Sequence, residues 1–514
     1  MGGGRRETHV DYTKEKRPWA YPLAVLIFAL VLLSPILYYH APQYYGSPDI
    51  QYVKAKVLSV SNGDLFGDPV TGRPNFHPPY YHLFLSLFTR LGVDIDILLF
   101  LVSVINVCAL LVLAYFVLAV RFEKRTAFIC ALMLPFIIQY MGPDNIALAT
   151  AFYFSIPFFL GGLFFYLQPE PSPWRPVATA VLWGCAFLIS PVYVFLIGFT
   201  FAYESFVKRA YRRFAILTLV FLTTITPFFI QMHAVRVAGM ADTSTFALWR
   251  GIPDGAWFKA LGGSFLFPSD GNRRILPMIP AVIIVILGIL GAVRKRSAGA
   301  FPLIAALAYL FTAYHFSLQY AIRVQFFLSI FLAAGAIEYL GWRKIKRVAA
   351  ISLASVCIIL GSYEHFVQTN EWIDNREAHL AEYQSFGAGF WANMGKYLTP
   401  GQYVVVTAAT YRYFIMPYFP AHALVAYKSG DYYQINEALA DSMGNDYNAM
   451  MASADIETIE RYCRKYGMRT AVMHVRYEQK YPVFQTIAAD WTLVYEDEYF
   501  RIYQWPDSAV QFNP

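Results

Sequence analysis

Residues 95–120, IDILLFLVSVINVCALLVLAYFVLAV, carry a single charge, Asp96, at their leading edge. About 20 apolar residues in a helix cross a bilayer core, so this run reads as one membrane span. Comparable runs recur on both sides of it, from Pro18 to about His365. Across the 514 residues, 57% are hydrophobic and 15% charged. Ordinary soluble chains have roughly 45–50% and about 25%, so a soluble globular protein is excluded. The expected fold class is mainly α: a polytopic membrane helical bundle with a polar, mixed α/β end.

The 41 Lys+Arg against 34 Asp+Glu give a net charge of +7. In a soluble protein that excess would hint at nucleic acid; here the basic residues sit in short clusters between apolar runs, a pattern that encodes topology. The clusters are Arg5, Arg6, Lys14, Lys16 and Arg17; Arg121, Lys124 and Arg125; Arg175; Lys208, Arg209, Arg212 and Arg213; Arg294, Lys295 and Arg296; and Arg343, Lys344, Lys346 and Arg347. Each is expected on the cytoplasmic side. Spans fitted between them are 18–39, 95–120, 126–141, 146–167, 176–190, 192–207, 213–234, 276–293, 300–317, 322–341 and 347–366. The turn at Ser190-Pro191-Val192 splits one long apolar stretch in two, which keeps the 208–213 cluster inside.

This arrangement puts the N-terminus (1–17) in the cytoplasm, a bundle over 18–366 in the cytoplasmic membrane, and a soluble domain over 367–514 on the periplasmic or extracellular side. Residues 40–94 and 234–275 also fall outside. Cys108, Cys130, Cys185 and Cys357 lie in apolar runs and Cys463 in the polar end, so neither a disulfide framework nor a thiolate metal site is expected.

The first outer loop has its own pattern. Ser47 can cap a helix, Pro48 suits the first helical position, and Val53, Val57 and Val60 follow at helical spacing. The helix is expected to lie along the membrane surface and to stop at Gly63. Gly67 to Pro74 is turn-rich, and Pro78-Pro79 opens a second amphipathic stretch over about 79–91.

Four polar side chains from distant places map to the same side. Asp49, in the first turn of the loop helix, either serves the helix dipole or acts as a general base at the rim of an apolar cavity. Asp144, in the turn MGPDN, is either a helix N-cap or a site acid. His77 joins them as an interfacial hydrogen-bonder or a site residue, and His233 and His315 also map to outer ends. Arg323 opens a span, where an arginine is costly unless it reaches water or an anion; its guanidinium suits phosphate. Outside the cell nucleotide sugars are absent, so an activated substrate must arrive on a lipid.

The loop resembles the GT-C superfamily of membrane glycosyltransferases, in particular the branch of protein O-mannosyltransferases and lipid A aminoarabinose transferases. The resemblance rests on Asp49, Gly63-Asp64, Gly72-Arg73-Pro74, Asn75-Phe76-His77-Pro78-Pro79, the later acid Asp144, and the stretch 320–340 with Arg323. It implies transfer of a monosaccharide from a polyprenyl-phosphate donor to a hydroxyl of a glycan, lipid or protein, with inversion. Asp49 and Asp144 become the catalytic candidates and His77 and Arg323 the donor-phosphate ligands. His77 occupies the slot that is lysine in the aminoarabinose transferases. The family's paired acids are here Asp49-Ile50, which weakens the case for the divalent metal that the resemblance otherwise leaves open. Membrane lipids are expected partners and nucleic acid is not.

After about residue 370 strands are expected over 402–408, 421–427, 469–475, 491–496 and 499–504, with helices near 385–398, 431–441 and 455–466. They predict a small three-layered α/β domain. The rival functions are a polyprenyl-lipid or glycolipid transporter or flippase, which would need polar or broken spans at mid-membrane, and a non-catalytic lipid-binding assembly protein.

Overall fold

The computed structural model describes residues 19–34, 48–65, 67, 69–70, 79–137, 150–169, 172–237, 283–291, 299–315, 318–341, 347–360, 362–363, 395–407, 410, 415, 419, 421–423, 437–475 and 481–506. The helices, in chain order, are α1 (Ala20–Leu32), α2 (Pro48–Ser61), α3 (Tyr80–Arg90), α4 (Ile95–Ala119), α5 (Lys124–Ile137), α6 (Ala151–Leu167), α7 (Trp174–Ile189), α8 (Val194–Ala202), α9 (Tyr211–Thr224), α10 (Thr226–Val237), α11 (283–291), α12 (Phe301–His315), α13 (Leu318–Leu340) and α14 (347–360). Each predicted span thus contains helix. By length and composition two described helices qualify as complete membrane crossings, Ile95–Ala119 and Arg323–Leu340. A bent pair, Tyr211–Thr224 with Thr226–His233, qualifies as a third if taken as one span.

Local chemistry sets several of these boundaries. Asp94 caps α4 by accepting from the Asp96 and Ile97 amides at 2.8 and 3.1 Å, and Asp96 lies in the first turn, where the helix dipole favours an anion. The expected turn at 190–192 is present: α7 ends at Ile189, Ser190 is extended, and Pro191 opens a 3-10 turn over Pro191–Tyr193 that leads into α8. The predicted continuous span 213–234 is bent by 46° between α9 and α10. Pro227, lacking an amide proton, follows the break directly and cannot extend the hydrogen-bond ladder across it.

Closely packed aromatic rings join α6, α7 and α13. Phe159 of α6 lies against Trp183 of α7 at 5.2 Å, Tyr193 at 4.8 Å and Phe327 of α13 at 4.6 Å between centroids. The Trp183 indole donates to the Phe159 carbonyl at 3.1 Å. Gly162 makes this approach feasible, because a Cβ there would stand 2.5 Å from a Trp183 ring carbon.

The polar end is built on a five-stranded sheet of β1 (Tyr403–Val405), β2 (His422–Ala423), β3 (Thr470–His474), β4 (Thr492–Glu496) and β5 (Phe500–Gln504), in the order β2-β1-β3-β5-β4. The β2-β1-β3 part is parallel; β5 runs antiparallel to both β3 and β4. Its helices are α15 (Glu437–Met451), α16 (Ile456–Tyr466) and α17 (Pro482–Asp490). The strands are those expected, each starting one residue later; residues 408 and 424–427 of the expected strands lie outside the described residues. Helix α15 runs ten residues beyond the predicted 441, and α17 was not predicted. Most of the expected helix 385–398 lies outside the described residues.

Alternate strand residues face opposite sides. Val405, Ala471, Met473 and Tyr503 pack with Met443, Met450, Ile459, Cys463, Phe484 and Ile487 of the three helices. Val404, Val472 and Ile502 face the other way and share a core with Tyr52, Ala55 and Val70. The expected third layer is therefore completed by the first loop, whose helix α2 lies some 340 residues upstream in sequence. Backbone pairing reinforces the seam: the Ala423 amide donates to the Val70 carbonyl at 2.9 Å, and His422 Nδ1 lies 3.1 Å from the Pro69 carbonyl.

Candidate functional site

The helix that carries Asp49, α2, is enclosed by protein. Residues 50–57 are all buried. Ile50, Val53 and Val57 join Tyr81, Leu85 and the bundle core, while Tyr52 and Ala55 join the sheet. The expectation of a helix along the membrane surface carried no sign of this cover by protein on both faces. The valine stripe of α2, read from the sequence, marks one buried face; the sheet covers a second, which holds Tyr52 and Ala55.

Burial of both faces encloses Lys54 and Lys56, which are 2% and 0% exposed. A buried ammonium needs a counter-charge or hydrogen bonds. Lys54 is paired with Asp96 in the first turn of α4, and Lys56 donates to the Gly67 carbonyl. The turn holding Gly67 is closed by its own amide, which donates to Asp64 Oδ1 at 2.6 Å. Ser59 donates to Asp64 Oδ2 at 3.1 Å. Gly63 terminates α2 with φ +97°, a left-handed conformation open to glycine. Arg90, at the end of α3, donates to the Val60 and Ser61 carbonyls at 3.2 and 3.0 Å. Helix α2 is thereby fixed to α3, to α4, to the loop beyond Gly63 and to the sheet.

The backbone of Asp49 lies in the first turn of α2; its side chain, and all of His77 and Asp144, lie outside the described residues. Their flanking elements are described. Tyr80 follows His77 by three residues, and burial pushes its phenol up to about 12, so it remains a neutral hydroxyl at ordinary pH. Tyr81 and Phe84 of α3 meet Phe154 of α6 at 5.1 and 5.3 Å. Helix α6 begins just after the segment that contains Asp144. Arg323, half-buried, sets its guanidinium carbon 5.1 Å from the centre of the Phe152 ring, also at the start of α6. The helices that hold or flank the four candidates thus meet at one end of the bundle, the end that bears the sheet. His233 is exposed on α10, and the His315 side chain lies outside the described residues. Among the described residues no three metal-ligating side chains come together, and they offer no cradle for the divalent metal that the family resemblance leaves open.

The sequence reading missed Lys54, Lys56 and Asp96. The available signal was a pair of lysines in a loop helix whose other charge is Asp49, with Asp94 and Asp96 at the head of the next span.

The bundle's other end has a second buried charge cluster. Phe116 near the end of α4 touches Phe164 at 6.1 Å, so α6 runs away from α3 and delivers Tyr166 to that far end. There Glu204, fully buried in a π turn over Tyr203–Val207, accepts from the Tyr166 hydroxyl and Lys208, each at 2.8 Å. Arg213 donates to the Tyr166 carbonyl at 2.8 Å and lies over its ring at 4.8 Å.

No protein-family model and no curated protein matches the sequence. Solved structures do match in fold. ArnT from Cupriavidus metallidurans bound to undecaprenyl phosphate superposes with a TM-score of 0.57 at 16% identity, covering 96% of this chain and 99% of that one. Its apo state gives 0.56, also at 16% identity, over 93% and 97%. The archaeal oligosaccharyltransferase AglB from Archaeoglobus fulgidus, in complex with an inhibitory peptide and a dolichol-phosphate, gives 0.56 at 14% identity over 90% of this chain and 70% of that one. ArnT, a lipid A aminoarabinose transferase, and AglB both belong to the GT-C superfamily of membrane glycosyltransferases. The chain is similar to that superfamily in fold over nearly its whole length, as the loop motifs led one to expect.

Proposed function

We propose that the chain is an integral-membrane glycosyltransferase that moves a monosaccharide from a polyprenyl-phosphate donor to a hydroxyl of a glycan, lipid or protein. The observation that carries this reading is the meeting of the α2, α3, α6 and α13 segments beside the sheet. The fold shared with proteins whose structures hold undecaprenyl phosphate or dolichol-phosphate supports it. The domain division 1–17, 18–366 and 367–514 belongs to the same proposal. So does the orientation, with the N-terminus cytoplasmic, the bundle in the cytoplasmic membrane and the site on its outer face.

The acceptor oxygen attacks the anomeric carbon from the face opposite the phosphate, forming one C–O bond as the bond to the phosphate oxygen breaks. Asp49 takes the acceptor proton, and Asp144 orients the acceptor or the sugar. The leaving polyprenyl phosphate takes the bonding pair; Arg323 and His77 stabilise its charge, so it departs without prior protonation. Apolar halves of the spans hold the lipid tail.

The test presents purified protein in lipid nanodiscs with a panel of labelled polyprenyl-phosphate monosaccharides and a membrane extract. Label transfer with release of polyprenyl phosphate is the expected result, and Arg323→Ala should raise the donor KM about tenfold or more. Movement of intact donor across the bilayer of sealed proteoliposomes holding the same protein, with no sugar transferred by wild type, would overturn the reading in favour of a flippase.

A further inference from the structure

We propose that Lys54 is a positioning residue: through its pair with Asp96 it locks α2 at the register on α4 that presents Asp49 to the substrate. The inference rests on the glycosyltransferase reading above for its catalytic consequence, but not for the tether itself.

Three observations carry it. The first is location. Lys54 stands five residues after Asp49 on one continuous helix, so a shift or rotation of α2 that breaks the pair moves Asp49 with it. Helices rise 1.5 Å per residue, which makes the two positions about 7.5 Å apart along the axis.

The second is burial. The Lys54 side chain is 2% exposed and that of Asp96 is 19%. Exposed ion pairs contribute little because water competes for both ends, whereas a buried ammonium separated from its carboxylate meets apolar surroundings. The pair therefore discriminates between registers of α2 far more steeply than the adjacent apolar contacts do. Valines sliding by a fraction of a turn still touch apolar neighbours, whereas a lysine drawn away from its carboxylate loses a directional, charged contact.

The third is the rigidity of the anchor. Asp96 is held by a capped first turn, with Asp94 accepting from its amide at 2.8 Å, at the head of the 25-residue helix α4. Arg90 and Lys56 hold the far half of α2, to α3 and to the Gly67 turn. Of the ties described along this helix, the Lys54 pair is the charged one nearest Asp49.

The test uses the full chain in nanodiscs and combines hydrogen exchange with kinetics. Lys54→Met should raise amide exchange over 50–61 about tenfold or more and lower kcat by about 10- to 100-fold with the donor KM nearly unchanged. The conservative Lys54→Arg should keep exchange near wild type. The double variant Lys54→Asp with Asp96→Lys should recover part of kcat that each single change loses.

Unchanged exchange over 50–61 in Lys54→Met would overturn the tether whatever the activity. Looser exchange with wild-type kcat would overturn the positioning role, as would a kcat loss that merely follows the folded fraction. Absence of sugar transfer by the wild type would be a failure of the functional reading, and the exchange arm would still decide the tether.

Discussion

The two ends of the bundle each bury charge, and they do so differently. At the far end Glu204 is answered by residues four and nine positions along the same chain segment, Lys208 and Arg213, with Tyr166 completing the shell. That cluster stitches a π turn to the helix it leads into. At the sheet end, Lys54 and Asp96 come from separate helices, and the loop between them holds Lys56, Asp64, Gly67 and the His77 segment. The far cluster closes its charges on neighbouring residues and reaches α6 only through Tyr166, whereas the Lys54 pair sets charge against charge across two helices and so fixes one relative to the other. Damage at the first should therefore show as lost stability without lost turnover, and damage at the second should carry function with it.

The sharpest break of this contrast is at the sheet seam. Tyr52→Ala removes a ring that is 4% exposed between α2 and the sheet, and should cost about 3–5 kcal/mol of local packing. Exchange should rise together over 50–61, 403–405 and 500–504, with a large loss of transfer. Loosening confined to the sheet, with α2 as protected as before, would show that the seam does not support the helix.

Glu204→Gln is the counterpart. It removes the anion from a fully buried site and leaves Lys208 and Arg213 without their charge partner. Both bases are partly exposed, so the cost should fall below the roughly 3–5 kcal/mol typical of breaking a fully buried pair. The melting temperature in detergent should drop while kcat and donor KM per folded molecule stay at wild-type values. A selective kcat loss would erase the distinction between the two ends. Tyr166→Phe, which deletes one hydrogen bond to the same carboxylate, should act in the same direction at about 1–2 kcal/mol.

The smallest effect is expected far from both clusters. Asp455 caps α16, accepting from the Thr458 hydroxyl and from the Thr458 and Glu457 amides, and these bonds hold its carboxyl below the usual carboxylate value. With a depressed folded-state pKa, its contribution is full above the unfolded pKa near 4 and disappears as pH falls through the folded value. Asp455→Ala should lower the melting temperature slightly at pH 7, and the difference from wild type should shrink towards pH 3.

Much of the bundle was legible because apolar run length and basic clusters are direct consequences of the bilayer and of charge asymmetry. The split at Ser190-Pro191 followed from proline chemistry together with the 208–213 charges, and the stop at Gly63 from backbone chemistry. Three features were not legible, for one shared reason. The enclosure of α2, the burial of Lys54 and Lys56, and the completion of the sheet by Tyr52, Ala55 and Val70 all depend on contacts between segments hundreds of residues apart. A valine stripe shows that a helix has one apolar face; it does not show that a sheet covers the other. Likewise, Arg323 was read from its place at a span edge, but its seat over Phe152 depends on which helix lies beside it.

The most direct measurement is transfer of a labelled monosaccharide from its polyprenyl phosphate by Asp49→Asn beside wild type, in the same nanodiscs. The account predicts wild-type transfer and a loss of about 100- to 10,000-fold in the variant, with its melting temperature and donor binding retained. Transfer by Asp49→Asn at the wild-type rate would contradict it.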